Sequence, residues 1–158
     1  MELDISLEDA RWQVAGLPDL ADRVIAATLL YLGGVPGAEI SLMGCDDARI
    51  AALNGTFRDK ASATNVLSWP AQELVPPAAP LPGPDGAVPL GDIAISYDTC
   101  AREAAEQGKP FEAHVTHLIV HGVLHLFGYD HIRDEDATQM EGIEVEILGK
   151  LGLPDPYM

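Results

Sequence analysis

The chemistry of this chain is concentrated in one stretch, residues 121–131, HGVLHLFGYDH, which sets His121, His125 and His131 at H-x3-H-x5-H spacing. Two histidines four apart on a helix lie one turn above the other on the same face, close enough to share a metal ion. The run ends at Gly128, the residue type best able to take the left-handed conformation that closes a helix. The following Tyr129, Asp130 and His131 then swing back toward that face and bring a third imidazole. Three neutral imidazoles with no fourth protein ligand form the open coordination set of catalytic zinc, and the open position holds a water whose pKa falls to about 7.

Laid over the zinc-protease pattern H-E-x-x-H-x-x-G-x-x-H, the stretch keeps all three histidines and the glycine and lacks only the glutamate. That glutamate is the protease's general base, and Gly122 in its place has no side chain to move a proton. The spacing therefore predicts a metal scaffold without the peptidase machinery. A pair of histidines four apart would by itself read as surface or core residues, but the glycine and the third histidine turn the reading to a metal.

The elements that must position these residues follow from the periodicity. Residues 2–7 alternate as a first strand, and a helix from Pro18 to Gly33 carries Leu20, Val24, Ala27 and Tyr31 on one stripe. A strand over 38–43 precedes a helix capped by Asp46 or Asp47 that runs to Asn54 with Ile50 and Leu53 inward. A polar loop over 54–63 holds Arg58 and Lys60, and the residues alone leave open whether it is simply solvated or faces a substrate. A third strand spans 64–69. Residues 70–90 contain seven prolines and read as one long loop, and 91–96 as a fourth strand antiparallel to the third. The earlier strand-helix alternation predicts parallel pairing across crossover helices.

Asp98 is placed to cap a helix that runs to Gln107 and ends at Gly108, after which Pro110 opens the metal-bearing helix. At 100° per residue His114, His117, His121 and His125 fall at roughly 0°, 300°, 340° and 20°, so all four face one way. His117 reads as a residue behind the ligands, a substrate contact or a satisfied histidine on a half-buried face, and His114 as surface. Leu118, Val123, Leu124 and Phe127 seat the helix on the sheet. The last helix places Ala137, Met140, Ile143, Ile147 and Leu151 inward with a solvated acidic face. Asp130 and Asp134 are the acids placed to accept a ligand histidine's free N–H, and the sequence does not choose between them.

With 158 residues, 47% of them hydrophobic, the chain suits one domain, 1–158, with a real core, and its mean hydropathy of +0.09 fits a soluble protein. The fold class expected is α+β, a mixed sheet of about four strands with packed helices. No apolar run is long enough to span a membrane, and the acidic start MELDISLED is unlike a leader, so a cytoplasmic protein is expected. Cys45 and Cys100 lack metal or disulfide spacing and read as small core residues. A net charge of −16, from nine basic residues against 25 acids, argues against non-specific nucleic-acid affinity. An RNA substrate must meet a local positive site or be presented by a partner.

The block HGVLHLFGYDH, preceded by His117, together with LNGTFRDKASATNVLSWP (53–70) and LGDIAIS (90–96), resembles the YbeY family of metal-dependent endoribonucleases that mature ribosomal RNA. The three blocks lie in the family's order, and the likeness runs nearly end to end. Asn65 stands where the family more often shows aspartate, and Trp69 where it shows phenylalanine. The resemblance implies a zincin-like fold, a bound Zn²⁺ or another divalent transition metal, and a functional role for Arg58, whose guanidinium suits a phosphate or its transition state. It also implies single-strand-specific cleavage at the 3′ end of the small-subunit ribosomal RNA precursor, a role in late-stage ribosome quality control, and contacts with the small subunit and its proteins. Two rival readings are a zinc peptidase-like hydrolase with a base from elsewhere in the chain, and a non-catalytic assembly factor in which the metal staples the C-terminal region to the body.

Overall fold

A computed structural model describes residues 1–58 and 62–158, the side chains of residues 57 and 58 excepted. In chain order the elements are β1 (Glu2–Leu7), α1 (Arg11–Val14), α2 (Leu17–Tyr31), β2 (Ala38–Cys45), α3 (Asp47–Arg58), β3 (Val66–Pro70), β4 (Val88–Ser96), α4 (Tyr97–Gln107), α5 (Phe111–Leu126) and α6 (Asp134–Lys150). The four strands form one mixed sheet in the order β1-β2-β4-β3. β1 and β2 pair in parallel, as do β2 and β4, while β3 and β4 pair antiparallel. This is the α+β arrangement that the strand and helix patterns anticipate. Among the described residues no helix is long and apolar enough to cross a membrane.

Alternation along the strands sorts side chains to two faces. Ile40, Leu42, Ile93 and Ile95 join α2, α5 and α6 in the main core, where Ile25, Ile119, Val123 and Leu124 are fully buried. Burying each such side chain contributes on the order of 1.5–3 kcal/mol before entropy is counted. Ala94, Cys45 and Leu67 face the other way and meet Ile50 of α3. Both cysteines are buried with free thiols, as small core residues are.

Four local features depart from the sequence reading. Trp12 forms an additional short helix, α1, because its indole is buried and donates Nε1–H to the carbonyl of Cys45 at 3.0 Å. β4 begins at Val88 inside the proline-rich stretch. Glu39 faces Pro89 and Ile40 faces Gly91, so Leu90 is an extra residue, a bulge that lets an inner strand tolerate a proline. α3 continues through 55–58, so Arg58 is its last residue and not part of a loop. Finally, Asp98 does not cap α4, whose N-cap Ser96 makes no side-chain cap bond. It instead accepts the backbone N–H of Asp47 at 3.0 Å and pairs with Arg11 at 2.8 Å, joining the starts of α3 and α4.

Candidate metal centre

Helix α5 runs from Pro110 at its N-cap to Leu126 and presents its histidines along one side. It lies unusually close to the sheet at Gly122, whose carbonyl accepts the Ser68 hydroxyl at 3.1 Å. A Cβ on Gly122 would sit 3.3 Å from both Ile93 and the Ser68 Oγ, so the missing side chain is also what lets the helix approach. The helix stops as the sequence predicts. Gly128 has φ +91°, and a Cβ there would overlap the carbonyl of Leu74. The chain reverses through Tyr129, whose N–H returns to Leu124 at 3.1 Å, and His131 comes back over the helix.

One ligand nitrogen from each of His121, His125 and His131 lies within 4.8 Å of the others. The ring of His131 stacks against that of His121, with centroids 5.5 Å apart. His125 Nδ1 lies 2.8 Å from the carbonyl of Tyr129 and His121 Nδ1 lies 3.0 Å from Glu144 Oε2, so each Nδ1 carries a proton. In the neutral tautomers both Nε2 atoms then present lone pairs, yet they face each other at 2.9 Å. Two acceptors so placed repel each other, and a cation bound by both removes the repulsion. Burial, and then the neighbouring charge of His121, pushes His125 down to about 4, so it is neutral and ready to ligate near pH 7. Three neutral imidazoles suit a zinc ion and leave a coordination position open.

The acid that faces His121 is neither of the two the sequence suggested. Asp130 accepts the N–H of Ile132 at 3.3 Å, and Asp134 starts α6 on the surface. The carboxylate that orients His121 is Glu144 of α6, with 0% of its surface exposed. It also meets His117 Nε2 at 2.5 Å and the Tyr157 hydroxyl at 2.6 Å. Burial pushes Glu144 up, but the bonds from His117, His121 and Tyr157 outweigh it and hold the carboxyl at about 2. Burial, with Glu144 beside it, pushes the Tyr157 hydroxyl well above its ordinary range. The acidic face of α6 is thus not wholly solvated. Position 144 lies four after Met140 and three before Ile147, on the inward stripe, and that placement was the available signal.

His114, read as surface, is 4% exposed, because α4 covers it and Glu103 Oε1 receives its Nε2 at 2.9 Å. Asn65 donates Nδ2–H to the same oxygen at 3.0 Å and accepts the Val66 N–H through Oδ1. An amide can make that donation and an ionised aspartate cannot. The side chain of Arg58 and all of Lys60 lie outside the described residues. The three histidines line a cleft of about 490 Å³ that also includes Asn65, Ser68 and Asp130. A larger cavity of about 720 Å³ lies between the proline-rich segment and the end of α2, lined by Tyr31, Pro76, Pro77 and Phe127 and by none of the three histidines.

Known proteins carry the same frame. The family model described as Endoribonuclease YbeY matches residues 4–152. A protein named Endoribonuclease YbeY from Ruegeria pomeroyi is 64% identical over 99% of this chain and 98% of its own length. Its namesake from Paracoccus denitrificans is 60% identical over 99% of this chain and 90% of its own length. The solution structure of TM1509 from Thermotoga maritima superposes with a TM-score of 0.58 at 21% identity, covering 94% of this chain and 91% of that one, which shows a shared fold. By the match of its sequence from end to end, this chain belongs to the YbeY endoribonuclease family.

Proposed function

We propose that the chain is a zinc-dependent endoribonuclease specific for single strands, acting on the 3′ end of small-subunit ribosomal RNA precursor and in late-stage ribosome quality control. The observation that carries the metal dependence is the apposition of the His121 and His125 Nε2 atoms at 2.9 Å, with both Nδ1 protons held elsewhere. His121, His125 and His131 would hold the ion, one per chain. Bound there, zinc supplies Lewis acidity toward a phosphodiester. Glu144 and the Tyr129 carbonyl hold the two helical ligands in the tautomer that leaves Nε2 free. His117 acts behind the ligands, through Glu144, and Asp130 lines the cleft beside them. Arg58 counters the charge that the phosphate gains in the transition state.

The ribosomal small subunit and its proteins supply the affinity that a chain of net charge −16 lacks for RNA. The single domain and a cytoplasmic location complete this reading. Gly122 disfavours the peptidase alternative, since it offers no general base next to the first ligand. The test is cleavage of ribosomal RNA precursor and of short single-stranded RNA by zinc-loaded protein, beside His125→Ala purified identically. Cleavage by the wild type alone supports the reading. Equal cleavage by both identifies a contaminating nuclease, and none from either, with ribosomes also absent from pull-downs, overturns it.

A further inference from the structure

A second cleft of about 420 Å³ shares Asn65 and His121 with the cleft of the three histidines, so a strand lying across the centre passes from one into the other. Its walls combine polar groups, the rings of His117 and Tyr157 and the apolar Leu118 and Pro156, a combination suited to an unstacked base. Glu103 is the fixed point. Its Oε1 receives Asn65 Nδ2 and His114 Nε2 at 3.0 and 2.9 Å, which fills that oxygen's two acceptor positions. No bond to Oε2 is made among the described residues, and the side chain is 28% exposed. A pre-oriented carboxylate oxygen with two lone pairs therefore remains for a ligand. It takes hydrogen-bond donors and no acceptors.

We propose that this cleft is a base subsite that reads guanine in the nucleotide flanking the scissile phosphate, with Glu103 accepting from its Watson–Crick edge. The inference rests on the nuclease reading above. Guanine alone among the four bases offers two adjacent donors, N1–H and the N2 amino group, and sets the acceptor O6 beside them. Adenine, cytosine and uracil each offer a single donor position on that edge. For O6 the cleft supplies Gln107 and the ammonium of Lys109, which uses one of its three donors on the Pro156 carbonyl at 2.8 Å. The rings of His117 and Tyr157, with centroids 5.4 Å apart and nearly perpendicular, offer a face and an edge for a splayed base. Stacking on aromatics with readout of the Watson–Crick edge is how proteins recognise single-stranded RNA. An acidic reader also fits an acidic chain, because a base, unlike a phosphate, is not repelled by a carboxylate.

The test exchanges guanosine for inosine, which lacks only the N2 amino group, at each position of a short single-stranded oligoribonucleotide around its cleavage site. For the wild type, kcat/KM should be about tenfold higher with guanosine at one flanking position. In Glu103→Gln the ratio should fall to about one, since the amide keeps the Oε1 acceptor for Asn65 and His114 but turns Oε2 into a donor. Binding of guanosine and inosine monophosphates to the zinc-loaded chain, followed by NMR, reads the same preference without cleavage. Wild-type cleavage with ratios near one at every position overturns the subsite and leaves the nuclease reading standing. Absent cleavage with a guanosine preference that Glu103→Gln erases supports the subsite and, with ribosomes also absent from pull-downs, sinks the nuclease reading. Absence of both removes both. Should Glu103→Gln fail to fold, the inosine comparison on the wild type alone decides.

Discussion

Glu144 Oε2 lies 3.0 Å from Nδ1 of His121 and is wholly buried, so the orientation of the first ligand on α5 is set from α6, 23 residues further along the chain. The last helix is therefore part of the candidate metal centre and not merely a cover for the core. Replacing Glu144 with Gln keeps the shape but removes the charge that holds the His121 proton. Zinc affinity should fall by about 10–100-fold, read by competition with a chromophoric chelator. Glu144→Ala should also lower stability in urea by roughly 2–4 kcal/mol, because it removes the one buried acceptor that His117, His121 and Tyr157 share and leaves a cavity in its place. Unchanged zinc affinity in both variants would show that His121 does not ligate.

Gly128 controls the return of His131 toward His121 and His125. Its φ of +91° and the Leu74 carbonyl beside it leave no room for a Cβ. Gly128→Ala should cost on the order of 2 kcal/mol or more and displace His131. The diagnostic is a combined one: a lower Tm and weaker zinc binding, in a protein whose far-ultraviolet dichroism is retained. Gly128→Ala with wild-type zinc affinity would mean that His131 reaches the ion by another path.

Acid should destabilise the metal-free protein through His125. Its pKa is about 6.5 unfolded and about 4 folded, depressed by burial and by the charge of His121. Between these values the unfolded chain binds more protons than the native one, so stability rises with pH across that window. The full contribution is present above about pH 6.5, and it is lost as pH falls toward 4. Glu144 acts in the same sense lower down, between about 4.5 and 2. Thermal melts in chelator from pH 8 to 4.5 should show Tm declining from about pH 6.5, and the decline should be shallower in His125→Asn.

Much of this arrangement was legible locally. The sheet and its mixed pairing follow from alternation, from helical crossovers and from the lack of one between β3 and β4. The approach of His121, His125 and His131 follows from a helix and one glycine. What escaped depends on contacts between distant segments. His114 reads as surface until α4 lies over it with Glu103. Asp130 and Asp134 were the acids nearest in sequence, whereas Glu144, on the inward stripe of α6, is the one that packing delivers. Pro89 argued against an inner strand, and a one-residue bulge resolved the conflict. Each miss is a case of tertiary packing overriding a sound local rule.

Arg58 separates chemistry from architecture. It ends α3, whereas the bonds that orient His121 and His125 come from Glu144 and the Tyr129 carbonyl. Its proposed work is on the phosphate, where charge grows only in the transition state. Arg58→Ala should therefore lower kcat for RNA cleavage by about 10²–10³-fold, with zinc content and Tm within error of the wild type. Arg58→Lys should recover only part of the loss, because a point charge cannot make the paired bonds of the guanidinium fork. A peptidase-like hydrolase would not lose activity in this way, and an assembly factor would have no cleavage to lose. Retained RNA cleavage by zinc-loaded Arg58→Ala would shift the transition-state role to another cation.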